Sequence, residues 1–186
     1  LIRDVFAAQA SVQAEAFAAD NLARLYTRVE RGFIRVDADE VTYPLHVVLR
    51  YRIEKAVVEG ELEVRDIPEV WDMHMQRALS LSTKGNFRDG CMQDVHWPSG
   101  AVGYFPSYTL GALIAAQLFE AAELALPSLE TQLASGHFQA LDAWLDARVW
   151  SKGSLLMTDA LIASATGHAL STQAFVRHVK RRYACV

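Results

Sequence analysis

The side chains of this 186-residue chain best suited to hold a metal or move a proton are its six histidines, His46, His74, His96, His137, His168 and His178. None stands at helical spacing from another with a glutamate between them, as an HExxH zinc site requires. Asp94 and His96 could share an ion, and so could Asp37 and Asp39. Two ligands are too few, however, and carboxylates in turns and at helix starts are common for capping reasons alone. There is no G-x-S-x-G elbow and no phosphate-cradling glycine loop, and nothing beyond composition marks Cys91 or Cys185 as an activated thiol. The groups that could do chemistry gather instead in two polar segments, IRVDADE at 34–40 and GCMQDVHWPSGAVGYFPSY at 90–108. Both carry more specific donors than turn formation asks for.

The elements that must position these segments are nearly all helical. Residues 2–17 and 22–29 repeat apolar positions every three or four, which predicts two helices or one bent near Asp20 and Asn21. After Gly32, Phe33 to Val36 alternate briefly as a short strand would. A helix over about 40–59 follows the acidic Asp37, Asp39 and Glu40, with Pro44 in its first turn and Gly60 as its stop. Its expected inner face is Leu45, Val48, Leu49, Ile53, Ala56 and Val57, with Arg50, Arg52, Glu54, Lys55 and Glu59 outward. The next helix, capped by Asp66, buries Val70, Trp71, Met73, Met75 and Leu79. Helical period then vanishes over 80–103, a long irregular stretch of the kind that is often functional. It resumes over about 104–123, from Pro127 to near Gly136, over 138–150, over 158–166, and in a last basic-ended helix opened by Ser171 or Thr172. The fold class is therefore all-α, with at most a short strand around 33–36, read as a single helical domain without repeats or linkers.

Composition excludes several roles. With 18 Lys+Arg against 22 Asp+Glu the net charge is −4, which argues against a broad cationic face for nucleic acid. Apolar residues make up 52% of the chain, too many for a disordered segment. No run reaches the roughly 18 apolar residues of a membrane span, and two cysteines do not make a disulfide framework. A soluble, cytoplasmic protein is the expectation. A first residue of Leu, in text that already reads as helix interior, suggests a piece of something longer.

The two polar segments also carry a resemblance. Ile34 to Asp39 matches I-R-x-x-A-D, and Gly90 to Trp97 matches G-x-x-Q-D-x-H-W, both motifs of the M32 family of metallocarboxypeptidases, the thermostable Taq-type enzymes. The surrounding text is similar too: ADEVTYPLHVVLRYRIEKAVVEGELEVRDIPEVW before the loop, GYFPSYTLGALIAAQLF after it, and a closing ATG before the final helix. It extends from about Asn21 to Tyr183. Members of that family carry an HExxH helix and a downstream H-E-S, which supply two histidine ligands, the general-base glutamate and the third ligand. Neither occurs here, and in the family both precede the I-R-x-x-A-D motif. The resemblance thus implies the C-terminal part of a zincin-like zinc carboxypeptidase that removes residues from peptide C-termini.

What this part would contribute follows from the same resemblance. Arg35 is the candidate clamp for a substrate carboxylate, since a guanidinium grips it through two parallel charged hydrogen bonds; the alternative is a surface ion pair with Asp37 or Asp39. Gln93 and Asp94 are grouped with Arg35 on the substrate side, although Gln93, like Trp97, could serve mainly to shape the loop. His96 with Tyr108, twelve residues on, resembles the His and Tyr pair that related helical zinc peptidases place over the scissile carbonyl, and Tyr104 competes for the tyrosine's role. Alternatively, Asp94 and His96 simply pin the loop to neighbouring helices. The implied partners are a peptide C-terminus, the missing N-terminal part of the same polypeptide and, at full length, a second copy in a homodimer. The rival class is a non-catalytic helical interaction module derived from the fold. Zinc, or another divalent metal, belongs to the full-length enzyme. The 186-residue chain alone is expected to bind no zinc stoichiometrically and to be inactive; metal analysis finding about one tightly held zinc per chain would overturn that.

Overall fold

The computed structural model describes residues 14–183. By their contacts these gather into two compact units, one formed by residues 27–110 and the other by the remaining described residues; the boundaries fall between Tyr26 and Thr27 and between Leu110 and Gly111. Among the described residues there are helices and 3-10 turns and no strand, and no helix long and apolar enough to cross a membrane. The predicted helix over 2–17 lies mostly outside the described residues, of which Ala14–Phe17 form a 3-10 turn. Helix α1, Ala19–Tyr26, ends short of Val29.

In the 27–110 unit, α2 (Tyr43–Val58) packs on α3 (Ile67–Leu79). Leu49 and Ile53 meet Trp71, Met75 and Leu79 in a buried core, with Phe33, Val57, Ile67 and Trp97 packed around it. Asp39 starts α2 from the turn before it: one carboxylate oxygen accepts the N–H groups of Val41 and Thr42, and the other the Thr42 hydroxyl and the Glu30 N–H. The helix stops where Gly60 takes φ +75° and Glu61 N–H turns back to the Ala56 carbonyl, a closure that the left-handed glycine permits. Asp72 on α3 fixes the beginning of the irregular stretch by accepting from Thr83 N–H and the Ser82 hydroxyl.

Several expectations are corrected in this unit. On α3, Met73, expected inside, is exposed, and Asp66 stands at the N-cap without a side-chain capping bond. Phe33 to Val36 do not form a strand; Arg35–Asp37 is a 3-10 turn, because the chain bends to bond Asp37 N–H to Ile34 and Ala38 N–H to Arg35. The register of α2 is also rotated from the predicted one. Its buried residues are His46, Val47, Leu49, Arg50, Ile53 and Glu54, whereas Leu45 and Val48 are exposed. Arg50 and Glu54, expected outward, turn in because partners wait for them on the 90–103 loop.

The other unit holds α4 (Pro106–Ala125) from Gly111 onward, α5 (Leu129–Ala134), α6 (Gln139–Arg148), α7 (Thr158–Thr166) and α8 (Gln173–Tyr183). Ala122, Leu129 and Trp144 are its buried centre. The buried Gln117 amide donates to the Thr166 hydroxyl and to the carbonyls of His168 and Ala169, and its oxygen accepts from Ser171 N–H, so a single side chain holds the turn between α7 and α8.

Candidate active site

The two polar segments meet at Gln93 and Asp94. The Gln93 side-chain oxygen accepts the Arg35 backbone N–H at 2.9 Å, and its NH₂ donates to the Phe33 carbonyl at 3.0 Å and to the Asp89 carbonyl at 2.7 Å. A side-chain amide here does what a neighbouring strand's peptide would do, which explains why a strand-like sequence at 33–36 needs no strand partner. The loop reaches this position because it turns tightly at Gly90, where an added Cβ would meet the Asn86 carbonyl oxygen at 2.6 Å.

One residue further on, Asp94 is gripped by two arginines. One oxygen accepts from Arg35 Nε at 3.1 Å and Nη2 at 2.8 Å. The other accepts from Arg50 Nε at 2.6 Å, with Arg50 Nη2 at 2.5 Å as an ion contact. Arg50 is fully buried and Arg35 nearly so, at 6% exposure. Arg50 Nη1 donates to the His46 carbonyl and Arg35 Nη1 to the Tyr43 hydroxyl. Both guanidiniums lie against the Phe105 ring, at 5.5 and 5.3 Å, and Arg50 also covers Trp71 at 4.5 Å. Burial would raise the Asp94 carboxyl, but the Arg50 charge and the bonds from both arginines outweigh it and hold it below the ordinary carboxylate range. Burial pushes Arg50 down to about 10 despite Asp94. Arg35 is also opposed by burial, yet its bonds to Asp94 and Tyr43 leave it raised.

Beside this pair, His96 Nε2 and the Tyr108 hydroxyl share a hydrogen bond of 2.9 Å. The imidazole is held between rings, 4.3 Å from Phe105 and 5.8 Å from both Tyr104 and Tyr108. Its Nδ1 stands 3.8 Å from Asp94, within ionic reach but too far for a hydrogen bond. If Nε2 carries the proton, the Tyr108 O–H is free to donate to a third group; with the proton on Nδ1, Tyr108 spends its own on His96. Tyr104 is half exposed and packs edge-on against Tyr108 at 5.3 Å. The structure therefore brings Arg35, Gln93, Asp94, His96, Tyr104 and Tyr108 into one cluster within the 27–110 unit. The alternative for Arg35, a surface ion pair with Asp37 or Asp39, is not what the structure shows: Arg35 is nearly buried and pairs with Asp94.

Sequence reading missed four members of this cluster. Tyr43 receives Arg35. Glu54 accepts from Trp97 Nε1 at 2.8 Å and Gly103 N–H at 3.2 Å, tying both ends of the HWPSGAVG turn to α2. His46 and Arg50 stand on the same helix face, four residues apart, with Glu54 four further on. That stripe of polar residues, flanked by Leu49 and Ile53, was the available signal. Near it, Ile53, Val57, Ile67, Cys91 and Met92 line an apolar cavity of about 480 Å³, and burial pushes the Cys91 thiol up, away from thiolate chemistry.

The chain matches the family described as Carboxypeptidase Taq (M32) metallopeptidase over residues 2–183. It belongs to that family. It is 42% identical to Thermostable carboxypeptidase 1 of Thermus thermophilus, over 99% of this chain and 35% of the relative. Against Thermostable carboxypeptidase 1 of Pyrococcus furiosus the identity is 37%, over 86% of this chain and 32% of the relative. Among solved structures, Trypanosoma cruzi metallocarboxypeptidase 1 superposes with a TM-score of 0.93 at 40% identity, covering 98% of this chain and 38% of that one. The M32 chain thus spans about a third of the length of these relatives. Among its described residues no group of three or more His, Cys, Asp or Glu side chains stands together as a metal site.

His46 gives this M32 cluster a pH dependence. It is fully buried, neither ring nitrogen has a hydrogen-bond partner, and burial, then the charges of Arg50 and Arg35, push it down to about 4 from 6.5. The folded state therefore binds fewer protons than the unfolded one between these values. Its contribution is complete above pH 6.5 and falls away as pH drops to about 4, by about 3 kcal/mol. Denaturant midpoints measured across that window should fall more steeply for the parent protein than for His46→Leu; parallel slopes would remove His46 as the cause.

Proposed function

We propose that this chain forms the carboxylate-recognising and oxyanion-stabilising side of a zinc metallocarboxypeptidase that removes residues from peptide C-termini. The observation that carries the reading is the state of Arg35. Its guanidinium is fixed by Asp94 and Tyr43 through three of its five N–H groups, and one N–H remains on each terminal nitrogen. Two such donors form the fork that takes a carboxylate end-on. Because the fork is already held, little side-chain entropy is lost when a peptide C-terminus binds.

In this reading the His96 and Tyr108 pair supplies the donor to the oxygen that becomes negative as the scissile carbonyl is attacked: with its proton on Nε2, His96 donates to Tyr108 and leaves the Tyr108 O–H for that oxygen. Their shared hydrogen bond fixes them relative to each other before substrate arrives, which is how a pre-aligned donor lowers a barrier without reorganising. Tyr104, with its exposed ring, can complete the same donor set or replace Tyr108 in it. Gln93 and Asp94 act behind Arg35, one through its backbone and the other through its guanidinium. The metal and the base belong to the part of the polypeptide outside this chain, and the full-length protein is a homodimer.

Two measurements on the full-length enzyme test these roles. Arg35→Ala should raise KM at least about tenfold for peptides with a free C-terminal carboxylate and change kcat little, while amidated peptides are affected much less. Equal losses on both would assign Arg35 to upkeep of the fold. Tyr108→Phe or His96→Ala should instead lower kcat on the order of 10²-fold. Parent-like turnover in both would take them out of the mechanism, and the same test on Tyr104→Phe ranks the two tyrosines.

A further inference from the structure

The charge count around Asp94 does not close. Two guanidiniums, both more than nine-tenths buried, share one carboxylate, which leaves a net +1 in the cluster. Among the described residues no other anion is bonded to either guanidinium. His46 is neutral at ordinary pH because burial pushes it down to about 4. Asp39 and Glu54 keep their own charges, since the groups they accept from are neutral, but their bonds go to Glu30, Val41 and Thr42 and to Trp97 and Gly103, not to Arg35 or Arg50. An unbalanced charge out of water is costly, and the cost falls when an anion arrives.

We infer that Arg50 is the residue that keeps Arg35 cationic toward the substrate: by taking one oxygen of Asp94 it prevents Asp94 from neutralising Arg35, and the net charge so preserved attracts the C-terminal carboxylate. This rests on the carboxylate-clamp reading above and deepens it. The geometry divides the labour. Asp94 gives a separate oxygen to each arginine, so Arg35 is oriented by half of a carboxylate. Arg50 is buried against Trp71 and Phe105 and bonded to the His46 carbonyl, and its position leaves it no direct route to a ligand. It is a positioning residue, acting through Asp94 on Arg35. Without Arg50, Asp94 and Arg35 become a neutral one-to-one pair, and the attraction for an anion weakens while the oxyanion donors stay as they were.

The test compares Arg50→Met, Arg50→Lys and Arg35→Ala in the full-length enzyme, each checked for folding by thermal melting. The substrates are a peptide with a free C-terminus and its amide. Arg50→Met should raise KM about tenfold for the free acid with kcat within about twofold and little change for the amide. Arg50→Lys keeps the charge but loses the fork, and should bring KM back to within about threefold of the parent. If Arg35→Ala raises the free-acid KM and a folded Arg50→Met does not, charge sharing is overturned while the clamp stands. If Arg35→Ala leaves the preference for the free acid intact, the clamp itself fails, and this inference with it. Should Arg50→Met not fold, Arg50→Lys decides: a KM near the parent's supports the proposal, and a tenfold rise overturns it.

Discussion

Everything in the 27–110 unit depends on a buried carboxylate being shared. Asp94 is the point at which the 33–37 turn, helix α2 and the 90–103 loop come together, through Arg35, Arg50 and its own backbone. Buried ion pairs are poor general stabilisers, because desolvation consumes most of what their attraction returns. Their worth here is geometric. Asp94 gives one oxygen to each guanidinium, so the three segments have one arrangement in which both are bonded to it, and the aromatic rings of Phe105, Trp71 and Tyr108 fill the space around it. Specificity of arrangement is thus obtained at some expense of stability.

The sharing also explains the pattern of polarity along α2. The helix carries His46, Arg50 and Glu54 on its inner face and Leu45, Val48 and Val58 on exposed positions. An apolar-inside rule assigns such a helix to the wrong register, because the rule counts side chains without their partners. Once Asp94 and Trp97 are placed, burying Arg50 and Glu54 gives Asp94 and Trp97 each a partner on α2. The apolar residues displaced from the interior are the ones that now face outward.

How much of this could be read from the residues differs by level. Helix positions were legible because caps and stops are local: Pro44, Gly60, Pro68 and Gly167 bracket elements through backbone restrictions that act over a few residues. The two motif segments were legible as text of the family, and the cluster contains all six residues singled out there. The partners were not legible. That Arg35 pairs with a residue 59 positions away and not with Asp37 or Asp39 depends on the path of the loop, which short-range patterning does not encode. The strand expected at 33–36 failed for a related reason: alternating β-branched residues describe an extended backbone but not who satisfies it, and the partner turned out to be a side chain.

That side chain has a bearing on how the family can vary. Because the Gln93 amide stands in for a peptide group, bonding to Phe33 and Arg35 on one side and to Asp89 on the other, segments 33–35 and 89–94 behave as one inherited unit. A substitution that lengthens the loop by one residue would move the amide off both backbones at once, whereas changes at the exposed Val95, Ser99 or Val102 touch neither bond. Chimeras between relatives would have to exchange the two stretches together.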